Sequence, residues 1–349
     1  MEFNYANARI RGMKSRLLKS SDLKELAAKV DVDSVIKILE QTPYRRELED
    51  ASVQYSGITC IEEALRRNLA MTFRLLFDMM KNEEAEKCIS IFLNKWDVQN
   101  IKTILRGKNI GVTSDEILGS LAPAGALDDA LLIELIKQPD VRAVIDLLAS
   151  WGVEYAKPLT EHFEEYSKSS DLVVLEYALD KFYYKNALNV AKGDSYDKGI
   201  IKGLIKTEID VTNIKSVLRI IRDKIELEDT EYYLIAGGRE LDIDKLLAMI
   251  KTWTIEGVIK QLARTSYGPP TKVPDEYVKK EKISVFERGL DKFLLQKALK
   301  MSSGDPLSMA VVIGYLYAKF NEITNIRIIA RAKTEDISGE ELMVGLVLV

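Results

Sequence analysis

The sequence predicts an all-α protein built from three similar helical domains. Three observations carry that expectation. Apolar residues recur at i, i+3, i+4 and i+7 over long segments, the period of a helix that buries one face. Only eight prolines interrupt the 349 residues, and nothing alternates convincingly with the period of two expected of a strand. One motif returns three times at nearly constant spacing, which is how a repeated structural unit shows itself in sequence.

The chain opens on a basic amphipathic segment, residues 1–20, with Arg9, Arg11, Lys14, Arg16 and Lys19. It lacks the apolar run of a signal peptide and is expected to stay on a mature cytoplasmic protein. Asn7-Ala8-Arg9 followed by Lys14 is a faint echo of the motif described below, so this first helix is expected to complete packing that other copies obtain from a neighbouring repeat. Next, Ser34–Leu39 resembles Ala143–Leu148 and Gly257–Leu262, and each leads into a loop holding Tyr44, Tyr155 or Tyr267. Longer helices follow at Ile61–Met80, Leu172–Val190 and Phe286–Lys300, in which Leu65, Leu179 and Leu290 keep the register.

The repeated motif comes about 35 residues after those leucines. Asp97-Val98-Gln99-Asn100-Ile101-Lys102 running to Arg106 is matched by Asp210-Val211-Thr212-Asn213-Ile214-Lys215 running to Arg219. It returns as Glu322-Ile323-Thr324-Asn325-Ile326-Arg327 running to Arg331. The asparagines at 100, 213 and 325 are 113 and 112 residues apart, so a unit of about 110 residues is implied, the size of a small helical domain. The expected domains are residues 1–126, 127–240 and 241–349. On a helix, Val98, Ile101, Ile104 and Leu105 form one core stripe, and the other two copies keep it. The bases at Lys102 and Arg106 then lie four apart on the flank, a like-charge pair that needs acids to meet it. The acids opening each motif, or Asp180 and Asp291 on the preceding long helix, are the candidates. Read functionally, these bases would bind an anion or a partner; the plain reading is a polar clamp that fixes helix register, because a packing device must recur wherever the same packing is built. The asparagines are expected to bond a helix end or a loop. A last helix spans Leu307–Ala332, and the apolar end Leu342–Val349 is either docked core or a strip facing a partner.

Composition narrows function. Fifty basic against 54 acidic residues, a net charge of -4, give none of the basic excess of a nucleic-acid binder. Cys60 and Cys88 have neither CxxC spacing nor histidine partners, which speaks against zinc and for a reducing compartment. The single histidine, His162, stands three residues before Glu165, but a carboxylate metal site of that kind needs a second histidine. Asp128-Asp129 lacks the third acid of a magnesium motif and reads as a helix N-cap. Gly237-Gly238-Arg239 and Gly107-Lys108 lack the Walker pattern, so no nucleotide is expected, and no cofactor. Tyr267 to Pro274 reads as a rigid loop. The longest uncharged stretch, Pro306–Ala318, has 13 residues, against roughly 20 for a membrane span.

Over nearly its whole length the chain resembles the C subunit of archaeal and bacterial A/V-type rotary ATPases, which is similar to the d subunit of the vacuolar enzyme. The resemblance rests on Asn7-Ala8-Arg9-Ile10-Arg11-Gly12-Met13, on Lys95–Lys108, on Phe286-Glu287-Arg288-Gly289-Leu290-Asp291, and on Gly314-Tyr315-Leu316 with Lys319 and Asn325-Ile326-Arg327. It implies three helical domains around a pseudo-threefold axis forming a funnel, which holds the tip of the central shaft, made of the D and F subunits, and rests on the membrane proteolipid ring. It further implies a rotor part at the cytoplasmic face of the membrane that passes torque and catalyses nothing. On that reading Arg9, Arg11, Lys14 and Arg16 can face the ring, where anionic lipid would attract them. A packed helix with a solvated basic face is the plainer alternative. A free-standing scaffold that binds a partner helix or peptide is the competing function, and an all-α enzyme is a third.

Overall fold

The structure, a computed structural model, describes residues 4–80, 83–225, 230, 232–274, 277–278, 282–335 and 337–349. The first three residues of the opening segment therefore lie outside the described residues. No strand occurs among the described residues. In chain order the helices are α1 (Asn4–Lys14), α2 (Ser20–Ala27), α3 (Val32–Leu39), α4 (Arg45–Ser52), α5 (Gly57–Met79), α6 (Glu83–Ile110), α7 (Ser114–Ser120), α8 (Asp129–Ile136) and α9 (Val141–Ser150). They continue as α10 (Ala156–Ser169), α11 (Val173–Val190), α12 (Tyr196–Asp223), α13 (Ile243–Ile250), α14 (Ile255–Leu262), α15 (Ile283–Met301), α16 (Ala310–Thr334) and α17 (Gly339–Gly345).

The boundaries follow from caps. Asp128 and Asp140 accept the N–H of Leu131 and Ala143, at 2.9 and 2.8 Å, and start α8 and α9. Asp242 and Thr254 start α13 and α14 in the same manner, taking the N–H of Lys245 and Gly257. Each cap satisfies one of the N–H groups that a helix start leaves without an internal partner. In each of three helix pairs the second helix begins 12 residues after the first: 20 and 32, 129 and 141, 243 and 255.

Packing divides the chain into two compact units. One is Ile36–Ala191; the other joins the residues up to Val35 to Lys192–Val349. In the first, α5 packs on α4, and α11 packs on both α10 and α6. Its core takes Leu65 and Leu69 from α5, Ile101, Ile104 and Leu105 from α6, and Leu175 and Leu179 from α11, all buried. In the second unit α15 packs on both α12 and α16, and α1 also packs on α16. Its core includes Ile214, Val217, Leu246, Val258, Phe286 and Leu290.

The three motif helices are the long ones, with 28, 28 and 25 residues. Their core stripes, expected from periodicity, are buried in all three copies. The middle turns also bury polar residues off the stripe, among them Asp97, Asn100 and Lys102 on α6 and Asp210 and Asn213 on α12. A helix enclosed on most sides cannot shed its polar groups into water, so each must find a partner inside the protein.

Candidate functional site

Those partners define the most distinctive set of side chains in the molecule. Each motif asparagine spends both ends of its amide on a single backbone residue 22 positions downstream. Asn100 Nδ2 donates to the Ala122 carbonyl at 2.7 Å while its Oδ1 accepts the Ala122 N–H at 2.9 Å. Asn213 does the same to Ile235, at 2.8 Å in both directions. Asn325 does it to Val347, at 2.9 and 3.0 Å. An amide paired in both directions with a peptide group copies one rung of a sheet ladder, so a segment without regular structure is held as firmly as a strand would be. The apolar end near Val347 is thereby docked against α16.

The acid that opens each motif holds a second stretch of backbone. Asp97, fully buried, accepts the N–H groups of Ala126 and Leu127 at 2.8 and 3.0 Å, just before the Asp128 cap of α8. Asp210 accepts those of Arg239 and Glu240 at 3.0 and 2.8 Å, just before the Asp242 cap of α13, and also the Tyr267 hydroxyl at 2.7 Å. Glu322 accepts the N–H of Leu18 at 2.5 Å, just before α2, together with the Lys319 ammonium at 2.9 Å. In every copy, then, the acid secures the segment that leads into a helix pair. Burial pushes the Asp97 carboxyl up to about 6, against the pull of the Leu127 and Ala126 N–H groups. Burial likewise raises Asp210, opposed by the Glu240 N–H and the Tyr267 hydroxyl. Burial raises the Tyr155 hydroxyl as well, with Asp97 as a second cause.

In the first two copies the bases meet acids on the next long helix in the chain, not on a preceding one. Lys102 pairs with Asp180 at 2.5 Å and Arg106 makes two bonds to Glu176 at 2.5 Å, joining α6 to α11. Lys215 pairs with Asp291 at 2.5 Å and Arg219 with Glu287 at 2.6 Å, joining α12 to α15. Asp97 and Asp210 take no part in these pairs: both Asp97 oxygens accept backbone N–H groups, and Asp210 Oδ2 accepts two together with the Tyr267 hydroxyl. In the third copy Arg327 is half-buried and Arg331 exposed, while Lys319 supplies the cation beside Glu322.

The opening cations are divided. Arg9, Arg11 and Arg16 are exposed. Lys14 is half-buried, donates to Ser302 Oγ at 3.1 Å, and is held below the usual lysine range by burial and by Arg11. Asn7 anchors the same helix through the Pro306 and Ser308 carbonyls, both at 3.0 Å. Asp128 is the N-cap of α8, and His162 Nδ1 lies 2.9 Å from the Pro158 carbonyl. Among the described residues no group of three metal-ligating side chains converges, and no helix is long and apolar enough to cross a membrane.

Two residues of the arrangement do not stand out in the motif itself. Gly125 and Gly238 each stand 28 positions after the acid, and a Cβ at either would run into the carboxylate of Asp97 or Asp210. A glycine at that fixed offset in two copies is the signal that marks them. What the whole set does chemically is hold backbone and align helices.

The family described as ATP synthase (C/AC39) subunit matches residues 6–343, nearly the full chain. The chain belongs to that family. Among its relatives, the C subunit of the A-type ATP synthase of Methanocaldococcus jannaschii is 31% identical over 341 residues, covering 97% of this chain and 85% of that protein. The protein of the same name from Methanosarcina acetivorans is 30% identical, with 99% and 93% covered, and that of Haloferax volcanii 27%, with 99% and 97% covered. The ATP synthase (C/AC39) match thus takes in all three copies of the asparagine motif.

Proposed function

We propose that the chain is a non-catalytic rotor component of an A/V-type rotary ATPase, a socket between the central shaft, made of the D and F subunits, and the membrane proteolipid ring. Three modules, residues 1–126, 127–240 and 241–349, surround a pseudo-threefold axis as a funnel; the shaft tip enters the cavity and the other face rests on the ring. The protein sits peripherally at the cytoplasmic face of the membrane and passes torque between ion flow and ATP synthesis or hydrolysis. The modules are units of repeat, and the division into two compact units cuts across the first two of them.

The observation that carries this reading, beside family membership, is the asparagine rung made at the same 22-residue offset in each copy. A torque-bearing part must not deform between its load points. Buried two-way amide bonds, together with close-packed helices, resist shear where water-exposed contacts would exchange. The test is to mix the purified protein with the shaft proteins and with detergent-solubilised ring, and to ask whether it bridges them. Binding to neither would leave the proposal without support, and binding to one alone would remove the socket.

A further inference from the structure

Repeated residues explain packing, so the places where the three copies differ show what one copy does alone. Where α11 lies on α6, beside the start of α10, a cavity of about 290 Å³ opens to solvent. Tyr155 and Tyr183 line it, and both donate their hydroxyls to backbone, to the Asn94 and Ile91 carbonyls at 3.4 and 3.2 Å. The cavity is also lined by Asn94 from α6, by Asn186 and Asn189 from α11, and by Glu154. Asn94 and Asn186 are half-buried, Asn189 and Glu154 are exposed, and none of these four side chains bonds another described residue. Among the described residues that line the cavity there is no Lys, Arg or His.

The second copy shows what closes such a cleft. Counted from the motif asparagines, Asn94 corresponds to Thr207; counted from Leu179 and Leu290, Asn186 corresponds to Lys297. There the Lys297 ammonium donates to Thr207 Oγ1 at 2.7 Å and bridges α15 to α12. In the third copy the position of Asn94 holds Lys319, which donates to Glu322 at 2.9 Å. The first copy alone puts carboxamides on both sides of the cleft and leaves them without a protein partner. Helix pairing does not need them, since the second copy pairs its helices with other residues.

We propose that this cavity binds a neutral polyhydroxy ligand of the size of one sugar ring. An anion would give up water and meet no cation. A cation would find one carboxylate, itself in water, which is a weak pairing. A carboxamide sets a donor beside an acceptor, and a hydroxyl is both, so a ring carrying several hydroxyls uses both ends of all three amides. The Glu154 carboxylate, which only accepts, takes the protons of two neighbouring hydroxyls. At the rim Val190, 37% exposed, offers apolar surface to the C–H groups of such a ring. The volume stands just under the usual range for small-molecule sites, roughly 300 to 1,000 Å³, and suits a single ring rather than a chain of them. The inference stands apart from the socket reading, since it concerns one copy only.

The test uses the full-length protein and three probes, methyl α-D-glucopyranoside, methyl α-D-mannopyranoside and myo-inositol, each titrated through the millimolar range and read by saturation-transfer NMR. The expected result is saturable binding of at least one probe. Binding should fall about tenfold or more in N94T/N186K, which installs the bridge of the second copy, while the melting temperature holds or rises. Asn186→Leu, which keeps the test decisive should the double variant fail to fold, should also weaken binding, and Lys157→Glu, on α10, should bind as the parent does. Binding of none of the three probes, or binding unchanged in N94T/N186K or in N186L, would overturn the proposal. So would N-methylacetamide binding as tightly as the best of the three, since it carries the donor and acceptor of a peptide group and no hydroxyl.

Discussion

Replacing a motif asparagine by leucine should cost stability unequally among the three copies, by an amount that the hydrogen bonds fix. At position 100 the change removes two buried bonds and leaves both the N–H and the carbonyl of Ala122, itself buried, without a partner. At about 1 to 3 kcal/mol for each orphaned group, partly offset by the added apolar side chain, Asn100→Leu should cost about 2 to 4 kcal/mol. Asn213→Leu should cost the same, because Ile235 is held in the same way. Asn325→Leu should cost about half as much, because the Val347 carbonyl keeps a bond from Asn321 Nδ2 at 3.0 Å and only its N–H is stranded. Urea denaturation followed by circular dichroism compares the midpoints, converted at a common slope. Equal costs in all three copies, or a change at position 100 within about 0.5 kcal/mol of zero, would refute the reasoning, the latter matching an ordinary surface substitution.

Three further outcomes follow from the same geometry. Lys102→Met strands the Asp180 carboxylate that burial already raises and Lys102 pulls back, and should cost about 3 to 5 kcal/mol, whereas K102M/D180L should recover most of that loss in the same denaturation assay. Asp97 keeps its proton to about pH 6 in the fold against 3.8 ordinarily, so the folded chain binds more protons between those values and the stability due to Asp97 falls as pH rises through that window. The stability of Asp97→Asn relative to the parent should thus improve by up to about 3 kcal/mol from pH 4 to pH 7, and the opposite slope in paired urea melts would contradict it. Gly125→Ala and Gly238→Ala should each lower the melting temperature, whereas Gly199→Ala, whose Cβ meets nothing, should not.

Much of the architecture was legible because it is written in side chains. The periodic stripes on α6, α12 and α16 and the cap at Asp128 depend on residue type at short spacing, and both appear where the letters put them. The asparagines announced a backbone partner, yet not which one: Ala122, Ile235 and Val347 contribute only peptide groups, which have no letter of their own. Asp97 and Asp210 looked like counter-charges to the nearby bases, but a buried carboxylate beside two free N–H groups satisfies itself on backbone first. Asp180 and Asp291 were recognisable as acids in a suitable register; the direction in which the chain brings them round is a property of packing, which no local pattern contains.

The bond from Leu18 to Glu322 spans 304 positions. The helix just before it, α1, packs on the same α16, so after synthesis it must wait, the side that α16 covers left bare, until that distant helix has been made. Production of the protein should be sensitive to anything that delays translation late in the message, and α1 is the place where a chaperone would be expected to take hold in the meantime.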